Sequence, residues 1–290
     1  MERSEGEILN IEVGGPSWPE RLTNIDCAPE ELWLRGNKSL LSKIRVIAIV
    51  GSRSPTPYGL EQARLFAGTF AAAGVVVISG LARGVDAAAH MAALDAGGET
   101  IAVLGSSVDK PWPAGEVAAR VLKEGLLLSE HPLGTDPRPH HFPLRNRLIS
   151  GLSDAVVVIE AAARSGSLIT AHWAADQGRD VFALPGRVDQ PMSRGTHKLI
   201  REGASLVEDP RELLVELYGA SDVARRSEEP PEDEDIIMAR LSEEDLTVDE
   251  LVAATGIEVR ALLNRLVEGE LSGLIARAPG GLYRRVRRRT

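Results

Sequence analysis

The stretch FPLRNRLISGLSDAVVVIEAAARSGSLIT, residues 142–170, decides the fold. Residues 155–160 are too few and too rich in β-branched side chains for a helix, so they predict a strand buried on both faces. The turn Ser165-Gly166-Ser167 follows, and residues 168–178 then show the apolar spacing of a helix. A turn between a strand and a helix presents unpaired backbone N–H groups, so this turn favours phosphate binding.

The same order of elements recurs along the chain. Further apolar runs, each followed by a turn-forming sequence, cover residues 46–50, 75–79, 100–104, 126–129 and 181–184. Helix-length segments separate the runs, and such alternation predicts a parallel sheet with right-handed crossovers. The turns after parallel strands share one edge, where these sheets bind ligands. The residues expected at that edge are Gly51, Ser52, Arg53, Arg83, Arg145, Arg147, Arg164 and the turn Ser165-Gly166-Ser167.

We therefore predict an anion-binding groove at this edge. A guanidinium fork suits phosphate oxygens better than the point charge of a lysine does. A single glycine after a strand often serves only as a turn, and a single surface arginine often serves only solubility, but convergence on one edge favours a functional groove. Gly51-Ser52-Arg53 is not a dinucleotide fingerprint, and no glycine-rich loop ends in Gly-Lys-Ser/Thr, which argues against an ATPase.

Composition limits the class of protein. The chain has 290 residues, of which 43% are hydrophobic, and this length suits one large domain with a small one. The single cysteine, Cys27, excludes a disulfide framework, and no apolar run has transmembrane length or signal-peptide character. We expect a soluble, cytoplasmic protein with no membrane partner. The spacing of histidines matches no zinc motif, so we expect no metal and no cofactor.

Charge is distributed unevenly along the chain. The formal net charge is −9, but residues 45–210 hold 16 Lys and Arg against 17 Asp and Glu. Residues 220–250 hold 12 acidic residues against 3 basic ones, and the acidic run at 228–235 predicts an exposed linker. Local basic patches govern phosphate binding, so the overall negative charge does not exclude a phosphate-containing ligand.

The segment after the linker predicts a small second domain. Thr247 is expected to cap a helix at 248–256, a second amphipathic helix covers 258–268, and residues 274–277 and 280–284 resemble the two strands of a wing. The predicted fold class is α/β: a Rossmann-like, mostly parallel sheet with helices on both faces, plus a C-terminal winged helix. The predicted organisation is an N-terminal extension packing on the core (1–44), a Rossmann-like domain (45–219), an acidic linker (220–234) and the winged helix (235–290).

These motifs resemble those of the DNA-processing protein A (DprA/Smf) family. The segments that carry the resemblance are residues 18–22, 32–36, 51–53, 79–86, 142–152, 165–170, 185–186 and 203–204, and they span nearly the whole chain. The resemblance implies a homodimer that binds single-stranded DNA without sequence preference and loads the recombinase RecA onto it during natural transformation. It also implies single-stranded DNA-binding protein as a further partner, and it implies no catalytic residue.

The family motifs transfer residue by residue onto the predicted groove. They imply contacts with the DNA backbone from Gly51, Ser52, Arg53, Arg83, Arg145, Arg147, Ser165, Gly166 and Ser167. Asn146 is expected to position these groups. Bases of a single strand stack on rings, and Phe142, Trp112 and His141, expected in edge loops, are the candidate platforms. The chain departs from the family pattern at Ser107, at residues 112–116 and at His197, so no contact made by the family is carried over to these positions.

Two alternatives remain open at this point. The scaffold also resembles nucleoside-monophosphate phosphoribohydrolases, but their Pro-Gly-Gly-x-Gly-Thr turn is missing, and Glu160 and Asp86 are the only acids expected near the edge. A glutamate at a strand end more often caps a helix or pairs with an arginine. The other alternative is a transcriptional regulator that reads duplex DNA. The mixed charge of residues 258–268 and the acidic linker argue against it, because helices that read DNA are usually basic and acidic residues repel phosphate.

Overall fold

The computed structural model describes residues 6–219 and 236–286, apart from 239, 242–243, 272–273 and 279, and it describes no side chain for 260, 268 and 271. The predicted acidic linker, residues 220–234, lies outside the described residues, as do the arginines at 287–289. The chain divides into two compact units, residues 1–223 and 224–290.

The first unit is built on a single nine-stranded sheet. Its strands are β1 Ile8–Glu12, β2 Glu31–Gly36, β3 Val46–Val50, β4 Val76–Ser79, β5 Thr100–Val103, β6 Leu126–Ser129, β7 Ala155–Val158, β8 Asp180–Ala183 and β9 Ser205–Leu206. Its helices are α1 Pro57–Ala72, α2 Val85–Asp95, α3 Glu116–Glu124, α4 His141–Leu152, α5 Ser167–Asp176, α6 Arg194–Arg201 and α7 Pro210–Tyr218. All six predicted apolar runs form strands, which confirms the α/β prediction.

The order of the strands creates a ligand-binding position. The strands lie in the order β1-β2-β6-β5-β4-β3-β7-β8-β9, and all neighbouring pairs from β6 to β9 are parallel. The chain moves outward from β3 through β4 and β5 to β6, and α4 then returns it to β7 on the other side of β3. The crossovers diverge beside β3, and ligands bind outside the carboxyl ends of strands at such a switch point.

Helices cover both faces of the sheet, as predicted. One apolar cluster packs side chains of α1, α2 and α7, including Phe66 and Phe70, against Ile47 and Val77. The cluster on the other face packs α4, α5 and α6 against alternate residues of the same strands, such as Ala48. Because both faces are covered, the central strands are apolar at every position, which is why their sequences read as continuous runs.

The N-terminal segment extends the sheet. β1 pairs antiparallel with β2, and β2 pairs antiparallel with β6, so residues predicted as an extension on the core supply two strands at one side of the sheet. Leu22 and Ile25, which lie between these strands in the chain, join the apolar cluster under α4. A cysteine with an exposed side chain, Cys27, follows them.

The second unit has the predicted winged-helix elements. These are α8 Val248–Thr255, α9 Val259–Leu271, β10 Ile275–Ala278 and β11 Leu282–Arg285, and the last two pair antiparallel as a wing. Thr247 and Glu250 form a capping box at the start of α8, and Gly256 ends that helix in the left-handed conformation with φ of 71°. Across the described ranges of both units, no helix combines the length and apolar character needed to cross a membrane.

Candidate functional site

A groove of about 780 Å³ lies at the carboxyl edge of the sheet, beside the switch point. Its floor comes from the end of β3, its sides come from the turns after β4 and β7, and the first residues of α4 pass between them. Ten predicted or expected contact residues line this groove or the adjoining pocket: Gly51, Arg53, Arg83, Trp112, Phe142, Arg145, Asn146, Ser165, Gly166 and Ser167. The predicted convergence of separate turns on one edge is therefore present.

The turn after β4 is held by two buried charges. The Asp86 carboxylate accepts hydrogen bonds from the backbone N–H groups of Gly80, at 3.2 Å, and Ala82, at 3.3 Å. The Arg145 guanidinium donates to the carbonyl of Gly80 at 2.7 Å and also to the carbonyl of Val103. Asp86 thus binds the N–H of Gly80 and Arg145 binds its carbonyl, and we name this pair of residues the clamp. The clamp fixes the turn that carries Arg83.

Burial shifts the pKa values of both clamp residues. Burial raises the pKa of Asp86, and the Arg145 charge and the backbone N–H groups oppose that rise. Burial lowers the pKa of Arg145 to about 10, against the attraction of Asp86, and Arg53 adds to the lowering by repulsion. Arg145 therefore stays charged near neutral pH. It is only 3% exposed, so its charge lies beneath the surface of the groove.

Asn146 connects the clamp to the turn after β7. Its side-chain oxygen accepts a bond from Arg145 Nε at 3.3 Å, and its amide nitrogen donates to the Gly166 carbonyl at 3.2 Å. The turn also binds its own groups: the Ser165 hydroxyl lies 2.8 Å from that of Ser167 and accepts from the Ser167 N–H. The expectation of several unpaired N–H groups at this turn is therefore wrong, because the Ser165 side chain and carbonyls of the turn occupy those of residues 167–169.

Three exposed arginines surround the groove. Arg53 follows β3, Arg83 lies on the clamped turn, and Arg138 lies between Pro137 and Pro139 in the segment before α4. Within the described part of the chain, none of the three forms an ion pair. The sequence reasoning missed Arg138, although a cation between two prolines directly ahead of the FPLRNR motif is a signal that could have identified it. These three side chains are the groups best placed to meet phosphates.

The structure does not place Arg147 in the groove. Its side chain is 3% exposed and forms a bidentate ion pair with Glu130 at 2.7 and 2.6 Å. It also donates to the carbonyls of Cys27 at 2.8 Å and Leu144 at 2.9 Å. The three guanidinium nitrogens are all bonded to groups of the protein itself, so the expectation that Arg147 meets the DNA backbone is not supported. Ser52 is also outside the lining, with its hydroxyl 3.5 Å from the Met192 sulfur.

Two aromatic side chains stand beside the exposed arginines. The ring centroids of Trp112 and Phe142 are 5.1 Å apart with 52° between their planes, and the Arg53 guanidinium lies 5.6 Å from the Phe142 centroid. Phe142 does not lie in a loop as expected, because α4 already begins at His141. His141 is buried, stacks on His131 with centroids 4.0 Å apart and bonds to Gly105, so its ring is not a platform for a base.

The two acids at the edge have structural partners. Glu160 is 3% exposed and accepts bonds from the backbone N–H and the hydroxyl of Thr56, at 2.8 and 2.6 Å, at the start of α1. This is the helix-capping role that the sequence favoured for a glutamate at a strand end. Asp86 is occupied by the clamp. Among the described residues, no cluster of His, Cys, Asp and Glu has the arrangement of a metal site.

Comparison with known proteins matches both units. The family described as DNA recombination-mediator protein A matches residues 10–218, and the family described as DprA winged helix domain matches residues 222–281. The chain is 42% identical over 284 residues to protein Smf of Escherichia coli (strain K12), which covers 93% of this chain and 75% of that protein.

Two solved structures share the fold of most of the chain. An X-ray structure of DNA processing protein A from Streptococcus pneumoniae is similar with a TM-score of 0.69 and 40% identity, covering 73% of this chain and 75% of that one. DNA processing protein A from Helicobacter pylori is similar with a TM-score of 0.67 and 30% identity, covering 74% and 98%, and that structure concerns its single-stranded DNA binding mode.

Proposed function

Because this chain belongs to the DNA recombination-mediator protein A family, we propose that it binds single-stranded DNA in the groove beside β3. The observation that carries the proposal is the grouping of Arg53, Arg83 and Arg138, exposed and without ion-pair partners among the described residues, around a groove at the switch point. Single strands are bound by positively charged grooves that follow the backbone and by rings on which bases stack. The groove offers both kinds of group.

The binding is proposed to be independent of sequence. Phosphate contacts carry no sequence information, and stacking tolerates every base because each has a flat π face. The cations supply the first kind of contact, and Phe142, flanked by Arg53 at 5.6 Å, supplies the second. Arg145 and Asn146 are assigned a positioning role, because their side chains hold the two turns of the groove rather than project into it.

We further propose that the bound strand is the platform on which the recombinase RecA is loaded in the cytoplasm, with the chain acting as a homodimer during natural transformation. Family membership supports this step, since the matching family is described as a recombination mediator. Single-stranded DNA-binding protein is the expected competitor for the strand. The loading step is tested separately from DNA binding on single strands coated with single-stranded DNA-binding protein. The measurement is the rate at which RecA displaces that protein with and without the purified chain.

The test of DNA binding is fluorescence anisotropy with a labelled oligo-dT strand and a matching duplex over a range of salt concentrations. Each single-strand phosphate contact contributes about 0.7 to the slope of log K against log salt, so Arg53→Ala is expected to weaken binding and lower that slope by about 0.7. Arg64→Ala is the matched control, because Arg64 is an exposed arginine on α1 that lines neither the groove nor the adjoining pocket. Equal affinity and equal slope in wild type and Arg53→Ala would refute the proposal.

A further inference from the structure

A second concavity of about 460 Å³, here named the side pocket, adjoins the groove. Gly80, Arg83, Pro113 and Ala114 line the side pocket alone. The groove and the side pocket share five lining residues, Arg53, Ala82, Trp112, Phe142 and Arg145. We name the side chains of Arg53, Trp112 and Phe142 the ridge. The side pocket thus includes residues 112–114, where the sequence departs from the family pattern and no family contact was carried over.

The ridge carries two aromatic rings that line the side pocket. Trp112 and Phe142 are tilted at 52° rather than stacked, so neither ring covers the face of the other. Trp112 is 44% exposed, and its backbone N–H donates at 3.1 Å to the hydroxyl of Ser106, a fully buried residue at the end of β5. The indole is therefore held on a fixed support while much of its surface remains open.

The walls of the side pocket are mainly apolar and its rim is positive. Trp112, Pro113 and Ala114 supply flat or small apolar surface, and Arg53 and Arg83 supply the exposed charge. The clamp on Gly80 fixes the turn that carries Arg83, so the cation is presented at a defined place. An apolar slot with two guanidinium groups at its rim matches one nucleotide, whose base is flat and whose phosphate is an anion.

We infer that the side pocket binds one further nucleotide of the strand, with its base stacked on Trp112 and its phosphate between Arg53 and Arg83. This inference rests on the proposed function, because it requires the strand to occupy the groove first. The ridge then separates two consecutive binding positions. A strand long enough to cross the ridge gains the contacts of the side pocket, and a shorter strand in the groove does not.

The test is a length series of oligo-dT strands measured with wild type, Trp112→Ala, Trp112→Phe, Arg83→Ala and the control Arg64→Ala. Alanine substitution of a stacking ring costs about 5- to 150-fold in affinity. We expect wild type to show a step in affinity at one length, and Trp112→Ala to lose that step while binding shorter strands as wild type does. Arg83→Ala should weaken the binding of strands that reach the step length more than the binding of shorter strands. Trp112→Phe is expected to retain most of the step, because a ring remains.

A second measurement uses the unchanged protein. Stacking on Trp112 should quench its fluorescence only with strands that reach the step length, and a single abasic position at the crossing nucleotide should remove the quench. An affinity loss in the variants that is equal at every length, or quenching that does not depend on length, would overturn the inference while leaving the proposed function intact. Absence of binding by wild type at any length would instead refute the proposed function.

Discussion

Replacement of Arg147 by methionine should destabilise the first unit without a direct effect on DNA binding. The substitution keeps an unbranched apolar stem but removes a guanidinium that is 3% exposed and bonded to Glu130, Cys27 and Leu144. Glu130 is 12% exposed and would be left as a buried carboxylate without its partner. Removing one member of a buried pair costs about 3–5 kcal/mol, and we expect a loss of that size in the free energy of unfolding.

Urea unfolding followed by tryptophan fluorescence is the suitable assay. All four tryptophans, at positions 18, 33, 112 and 173, lie in the first unit, so the signal reports that unit alone. The double variant Arg147→Met with Glu130→Leu should be less destabilised than Arg147→Met, because no unpaired charge remains. Anisotropy under native conditions should show the affinity of the folded single variant close to that of wild type.

Two results would refute this reasoning. A loss of less than 1 kcal/mol in Arg147→Met would mean that the ion pair is not the structural support described above. A loss of DNA affinity as large as that of Arg53→Ala, with the free energy of unfolding unchanged, would return Arg147 to the set of DNA contacts implied by the family motif.

Four further outcomes are expected. Arg138→Ala should weaken oligo-dT binding in anisotropy by an amount similar to Arg53→Ala, with little change in stability, because its side chain is exposed at the groove. Gly80→Ala should lower the free energy of unfolding by about 1–3 kcal/mol and also weaken binding, since its Cβ would lie 2.6 Å from Nη2 of the buried Arg145. Burial, with a smaller effect of Arg145, holds the pKa of His90 at about 3, so the unfolded state takes up a proton that the folded state does not. The contribution of His90 to the free energy of unfolding should therefore fall by up to about 1.4 kcal/mol per pH unit as the pH drops from 6 to 4, and His90→Asn should lose less stability over that range than wild type in urea unfolding. Thr247→Ala, which removes the capping box of α8, should lower the stability of the second unit by about 1 kcal/mol in a circular dichroism melt.

The sequence predicted the strands well because their signal is local. β3 and β6 match the predicted runs 46–50 and 126–129 to the residue, since continuous apolar runs bounded by turn residues suit strands covered on both faces. The start of α4 was missed, because the His-His-Phe-Pro sequence contains no side-chain cap and carries a proline. The carboxyl edge as the location of the groove followed from topology alone.

The assignment of individual arginines depended on information that the sequence does not hold. Residues two apart on a helix are related by a rotation of about 200° around its axis, so Arg145 and Arg147 face nearly opposite surroundings. Only the packing of α4 shows which of the two lies beneath the groove. Arg138 lies outside the helices and strands, where the spacing of residues does not predict which way a side chain points. At the turn after β7, the competition of the Ser165 hydroxyl for a backbone N–H depends on the side-chain conformation.

The clamp on Gly80 and the exposed arginines are separate sets of residues, and this separation has an evolutionary consequence. Arg145 and Asn146 tie the turn after β4 to the turn after β7 through buried bonds, so a change in either residue disturbs both walls at once. Arg53, Arg83 and Arg138 stand on this frame without supporting it. Selection can therefore adjust the strength of the proposed DNA binding at the rim, one arginine at a time, in a protein that keeps its fold.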